Sequence, residues 1–369
     1  MTTSLPYAAF RATSRFSALD GLRAFACLAV VIGHARGVPY AFLHGYRGVL
    51  LFFVLSGFLI TTLALREEAK TGAVDLHAFF VRRVFRIMPL YYLALAAIMI
   101  AVFAFNMESY ADAFRHHLAA YLLYMPEFPI FQSDFKIPFA QAWSLGIEEK
   151  FYLVWPIVAF GLLARSRRRI GLVLVLIAST GILNARSPDL AQMWGAYMDI
   201  LIGCLVALAL HERRLYEKLS VLGRTPIAWG VFGVLAIAML SPLTGTQFGE
   251  RYFAMLAAMA LIALVTTERG PARMFAHPAL AAVGAWSYGI YLLHIMVYDM
   301  VNKTLPAGSS WDYLTMPLCL LIVLPLARFL HLHYEQPIIA FGRRVAAAPI
   351  PAPAWHAKVP RASTATATH

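Results

Sequence analysis

LDGLRAFACLAVVIGH, residues 19–34, is an apolar run of helical length with Asp20 and Arg23 at its start and His34 at its end. About 20 mostly apolar residues carry an α-helix across about 30 Å of hydrocarbon. Extended to 19–35, this stretch therefore reads as a membrane span. Nine further runs have the same character: 48–65, 89–106, 143–164, 170–185, 192–210, 226–241, 252–267, 281–301 and 313–333. Of the 369 residues, 60% are hydrophobic and 14% charged. A soluble chain holds about 45–50% apolar and about 25% charged residues. Several soluble domains are thereby excluded, and the expected fold class is all-α, a polytopic membrane bundle of about ten transmembrane helices.

The net charge of +12 is set by 31 Lys and Arg against 19 Asp and Glu. These charges punctuate apolar runs and form no continuous basic face, so nucleic acid is not an expected partner. Basic residues collect at cytoplasmic ends of spans. With the N-terminus inside and ten spans, inner segments hold 21 of the basic residues and outer segments 7. Arg23, Lys150 and Arg328 fall within spans. Counting 118–125 as an eleventh span would place the Arg165–Arg169 cluster outside. Both termini are therefore expected in the cytoplasm, with 107–142 as a large outer loop. The expected organisation is a cytoplasmic segment 1–15, a membrane domain 16–344 and a disordered cytoplasmic tail 345–369, rich in Ala, Pro, Thr and Ser. Cys27, Cys204 and Cys319 each lie in apolar runs without metal-type spacing, so neither a disulfide framework nor a metal site is expected. Residues 1–18 lack the apolar block of a cleaved signal peptide.

Ionisable residues inside spans are costly and point to function. Arg23 and His34 are eleven residues apart, about three turns plus 20°, so they share a helix face about 16 Å apart along the axis. In WSLGIEEKFYLVWP, Glu148 lies about 8 Å below the outer end at Trp143, a depth matching that of His34. A histidine and a carboxylate at one depth suit a general base and its orienting partner. Plainer roles stand beside these: Arg23 snorkelling to inner headgroups, and His34 or His294 in interhelical hydrogen bonds. Glu149 and Lys150 read as members of an internal ion-pair knot. In RRVFRIMP, Arg83 and Arg86 share a helical face with Arg82 beside them. Such guanidinium groups suit bidentate phosphate recognition or a positive-inside anchor on anionic lipid.

LDGLRAFACLAVVIGH, GVLLFFVLSGFLIT, RRVFRIMPLYYL, WSLGIEEKFYLVWP, SYGIYLLH and YEQP occur in the order seen in the acyltransferase 3 family, which the chain resembles over about residues 16–340. These are integral membrane O-acyltransferases of the O-antigen, exopolysaccharide and peptidoglycan acetyltransferase type. The resemblance implies ten spans in the plasma (inner) membrane and transfer from cytoplasmic acyl-CoA to glycans at the outer side. Its arginine–histidine pattern falls on Arg23 and His34, its paired-arginine motif on Arg83 and Arg86 with Arg82 adjoining, and its tryptophan-to-glutamate motif on Trp143, Ser144 and Glu148. Many relatives carry a fused outer esterase-like domain. This chain ends after a short tail, so a second transfer step, if needed, is expected from a separate periplasmic partner.

The resulting expectation is an O-acetyltransferase with His34 and Glu148 catalytic and Arg23, Arg82, Arg83 and Arg86 binding acyl-CoA. Asp20, Trp143, Ser144 and His294 are expected in support. Acetyl-CoA is expected as donor substrate, with no permanently bound cofactor. His34 either deprotonates an acceptor hydroxyl or carries the acyl group itself. Tyr110, Tyr121, Tyr124, Phe128 and Phe131 of the outer loop are candidates to stack a sugar. The alternative class is a transporter or flippase for a glycan or lipid-linked sugar. Buried His, Arg and Glu suit that class too, but the inverted repeats common in such folds are not seen.

Overall fold

A computed structural model describes residues 4–36, 44–104, 108–132, 139–163, 166–241, 247–306 and 310–348. Lys136, Arg165, Lys358, Arg361, most of the expected tail and the side chain of Phe131 lie outside the described residues. Among the described residues every regular element is a helix. In chain order these are α1 (Tyr7–Ala12), α2 (Ser17–Gly33), α3 (Tyr46–Thr71), α4 (Leu76–Ala104), α5 (Glu108–Leu122), α6 (Glu127–Gln132), α7 (Trp143–Pro156) and α8 (Ser166–Arg186). They are followed by α9 (Ala191–Leu210), α10 (Arg213–Leu219), α11 (Thr225–Leu240), α12 (Gln247–Val265), α13 (Pro271–Phe275), α14 (Pro278–Thr304), α15 (Thr315–Leu330) and α16 (Gln336–Ala347).

Among the described residues, six segments are long and apolar enough to cross a membrane: α3, α4, α8, α9 with the turn before it, α14, and the run from Trp311 to Ala347 through α15 and α16. A bent pair, α10 to Gly223 and then α11, turns by 74° and makes a seventh if counted as one. The other expected spans fall on α2, α7 with its π-helical extension Ile157–Leu162, and α12. The stretch 118–125, read from sequence as loop, belongs mostly to α5. That helix has 15 residues, about 22 Å, which is short of the hydrocarbon thickness.

Local chemistry explains the ends of these helices. Gly72 closes α3 in the left-handed conformation at φ 86°, its N–H donating to the Glu68 carbonyl, as a C-terminal glycine does without a Cβ penalty. Asp75 caps the start of α4 by accepting from the Ala78 N–H at 2.8 Å. Small residues let helices touch backbone to backbone, as membrane helices do. A Cβ on Gly57 would strike the Ile200 carbonyl and one on Gly203 the Val54 carbonyl, so α3 and α9 pack in direct contact. A Cβ on Gly284 would strike the Asp20 carbonyl, which sets α14 against α2.

Contact order along the helices fixes their relative directions. Asp20 meets Gly284, Cys27 meets Ser287 and His34 meets His294, so α2 and α14 run parallel. Tyr46 meets Trp143, Ser56 meets Glu148 and Thr61 meets Trp155, so α3 and α7 are parallel as well. Gly48 packs on the Ala26 carbonyl and Gly45 on the Ala29 carbonyl, which makes α2 and α3 antiparallel. The bundle thus has a consistent pair of ends: Arg23 lies at one, and His34, Tyr46 and Trp143 lie at the other.

Two buried ion pairs tie the helices together. Arg169 of α8 makes a bidentate pair with Glu68 of α3 at 2.6 and 2.7 Å and also donates to the carbonyls of Ala159 and Leu163. Arg251 of α12 pairs with Asp199 of α9 at 2.5 Å and donates to the Gly195 carbonyl. A third pair joins Lys150 of α7 to the buried Glu127 of α6 and fastens the 108–132 segment to the bundle. Lys150 is thus in an ion pair, as expected, but its partner comes from the 108–132 segment.

Candidate active site

The expected site residues form a polar column beside α2, with arginines at one end and imidazoles at the other. At the first end, Arg23 sits beside Asp20 at 3.4 Å, and Asp20 is held in turn by Arg15 at 2.6 Å. Arg83, two turns into α4, stacks its guanidinium 4.2 Å from the centre of the Tyr152 ring. Arg23 lies within electrostatic reach of Arg83, Tyr152 and Glu148. Arg86 lies within reach of Arg23 and Arg83, and of Glu335 from the YEQP motif. Among the described residues, neither Arg83 nor Arg86 has a hydrogen bond or an ion pair. Arg82 faces elsewhere, pairing with Glu67 of α3 at 3.4 Å. Thus three of the four expected arginines converge.

Glu148 occupies the middle of the column. Its Oε2 accepts from Ser56 Oγ at 3.1 Å and from Tyr152 OH at 3.0 Å. Tyr152 is four residues on from Glu148, one turn along the same face of α7. Above them, Tyr291 OH and Ser144 Oγ share a hydrogen bond of 2.7 Å, and Tyr291 lies within electrostatic reach of Glu148. Trp143 is buried and stays out of the column. It stacks on Tyr46 at 6.2 Å and packs edge-on against Phe53, locating the start of α7 against α3.

His34 stands at the far end, one residue past the last turn of α2, and is exposed. Its Nδ1 lies 2.8 Å from the Val30 carbonyl. A backbone carbonyl can only accept, so Nδ1 carries the proton and Nε2 keeps its lone pair, the tautomer a general base needs. The ring next to it is His294, with centroids 5.0 Å apart and planes crossed at 71°. No hydrogen bond joins His34 to Glu148 among the described residues. The contact expected from matching depths is not formed, because α2 ends at Gly33 and His34 turns its ring back to the helix end, while Glu148 faces Ser56 and Tyr152.

Sequence reasoning did not single out Ser56, Tyr152 or Tyr291 for the column. Helical spacing carried a usable signal for two of them, since Tyr152 follows Glu148 by four and Tyr291 precedes His294 by three. The expected sugar platform fares differently. Tyr121 and Tyr124 are buried against Tyr91 and Phe139, where aromatic packing outweighs exposure, while Tyr110 is half-buried and Phe128 exposed.

Several membrane-length helices pack around a column with guanidinium groups at one end and an imidazole at the other. That is the outline of a multi-pass membrane protein. The chain belongs to the acyltransferase 3 family: the family model described as an acyltransferase domain matches residues 16–330. It is 28% identical over 348 residues to O-acetyltransferase OatA of Staphylococcus aureus strain NCTC 8325, covering 87% of this chain and 56% of that protein. It is 26% identical over 310 residues to the putative O-acetyltransferase SACOL0978 of Staphylococcus aureus strain COL, covering 77% of this chain and 51% of the relative. The chain thus spans about half the length of the curated relatives it matches. No solved structure matches it.

Proposed function

We propose that this protein is an O-acyltransferase of the inner (plasma) membrane that takes an acyl group, acetyl in the first instance, from cytoplasmic acyl-CoA. The acceptor is a hydroxyl of a cell-envelope or secreted glycan at the opposite side. One observation carries the reading: Arg83 and Arg86, unpaired among the described residues, gather with Arg23 at one end of α2, and His34 stands at the other with its Nδ1 on the Val30 carbonyl and its Nε2 without a hydrogen bond among those residues. Guanidinium groups without internal partners suit phosphate. The axial distance from Arg23 to His34, about 16 Å, matches an extended pantetheine arm, so the thioester reaches His34 while the nucleotide stays at the arginines.

In this reading the acceptor oxygen attacks the thioester carbonyl as His34 Nε2 takes the hydroxyl proton. The carbon–sulfur bond breaks, the ester forms, and the imidazolium proton passes to the departing thiolate. Glu148, held by Ser56 and Tyr152, balances the positive charge of Arg23 and Arg83 along the route of the donor arm. Ten spans with both termini in the cytoplasm belong to the same proposal. The parallel pairing of α2 with α14 and of α3 with α7, and the antiparallel pairing of α2 with α3, agree with the alternation that ten crossings impose.

The direct test is acyl transfer from radiolabelled acetyl-CoA by purified protein in detergent, where transport has no meaning. His34→Ala inserts normally and is expected to lose transfer. Full activity in that variant would remove His34 as the base.

A further inference from the structure

His34 is the group on which positive charge would develop, yet the expected carboxylate is not beside it. Its ring neighbour is His294, which is fully buried. The Nδ1 of His294 lies 2.7 Å from the Tyr291 carbonyl, so by the argument applied to His34 its proton sits on Nδ1 and Nε2 bears a lone pair. That Nε2 is buried and has no hydrogen-bond partner among the described residues. Buried polar atoms are nearly always satisfied, and an orphan calls for an explanation. The two rings are neighbours, with centroids 5.0 Å apart, and each carries an Nε2 lone pair.

We propose that His294 is a positioning residue for His34: its Nε2 accepts a hydrogen bond from the imidazolium of His34 once that ring has taken the acceptor's proton. The orphan atom is then satisfied only in the protonated state of the neighbour, so the contact strengthens as the transition state is approached. Such differential binding is what accelerates a chemical step. The proton count is unchanged: one proton leaves the acceptor hydroxyl, rests on His34 Nε2 while shared with His294, and goes to the thiolate.

The surroundings hold His294 in place and leave this role to it. Cys319 Sγ approaches the His294 carbonyl at 3.8 Å, and Tyr298 OH donates to the Val31 carbonyl at 2.8 Å, pinning α14 to the end of α2. Asp299, five residues further along α14, is in electrostatic reach of Lys303 and Arg36. Tyr291 is engaged with Ser144.

The inference rests on His34 as base, and the experiment separates the two. Purified protein in detergent is given radiolabelled acetyl-CoA with water and chitotetraose as acceptor probes, scoring CoA release and labelled sugar. His294→Phe is expected to lower kcat by about 10- to 100-fold, the range set by a lost hydrogen bond to a charged group, with the donor KM unchanged. His294→Gln, whose amide oxygen can accept the same hydrogen bond, is expected within about fivefold of the unmodified protein. A merely structural role predicts the reverse order, because an aromatic ring suits the apolar site better than an amide. In a His34→Ala background His294→Phe is expected to cause no further loss. Additive losses, or a Phe variant as active as the Gln variant, would overturn the proposal. Activity surviving His34→Ala would overturn the base assignment instead. Solid-state nitrogen-15 spectra in bilayers supply a readout independent of turnover. On acidification a through-bond coupling between ring nitrogens of His34 and His294 is expected, and its absence would also overturn the proposal.

Discussion

Arg169 and Arg83 are the same residue type in the same bundle, and their surroundings are opposite. Arg169 is almost fully buried, grips Glu68 with both arms of its guanidinium, donates to two backbone carbonyls and lies over the Phe160 ring. Arg83 is half-buried, rests on one tyrosine ring and makes no hydrogen bond among the described residues. A buried ion pair with every donor satisfied is a fastening, since removing either member strands the other. A partly desolvated guanidinium with empty donors, beside two others of like charge, keeps its hydrogen bonds for an anionic guest. What distinguishes structure from function in this bundle is therefore saturation, and neither burial nor residue type reveals it alone.

The contrast can be broken in four places. The largest effect is expected at the open imidazole end, where His34→Ala should cut acyl transfer by about 10²- to 10⁴-fold, the usual weight of a general base, with normal membrane insertion. Next is the fastening: Arg169→Ala should destabilise the fold by about 3 kcal/mol, toward the lower end for a broken buried pair because Glu68 keeps some solvent. Thermal unfolding in detergent reads that loss, and donor KM in the folded fraction should stay the same. Arg83→Ala should give the converse, an unchanged unfolding midpoint and a donor KM raised about tenfold or more. Should Arg169→Ala raise KM as much as Arg83→Ala, the division between fastening and guest site would collapse. Smallest is Arg82→Ala. Its pair with Glu67 is exposed and worth about 1 kcal/mol at most, so donor KM should move less than about threefold, and a larger shift would place Arg82 in the donor site after all.

Much of this was legible before any coordinates. The apolar runs located the helices, because a bilayer demands length and apolarity together, and eleven residues between Arg23 and His34 put both on one face of one helix. The pairing of His34 was not legible. Depth arguments treat helices as straight rods with known ends and say nothing of rotation about the axis, so the estimated depths of Glu148 and His34 coincide, whereas Glu148 sits mid-column on Ser56 and Tyr152 and His34 at the far end beside His294. Arg169 and Arg83 each sat in a basic cluster at the end of an apolar run, and sequence offered no means to tell them apart, since the carboxylate of Glu68 comes from 101 residues away. Tyr121 and Tyr124 looked like loop aromatics because their partner Tyr91 lies on another helix.

Gly284 gives the assembly a fulcrum. It rests on the Asp20 carbonyl, beside the arginine end of the column, while His294 lies ten residues further along the same rigid helix, about 15 Å away. A single methyl added there would pry α14 from α2, and the long arm of that lever ends at the two imidazoles. An alteration at the arginine end would thus be felt as a loss of alignment at the opposite end, with neither imidazole touched.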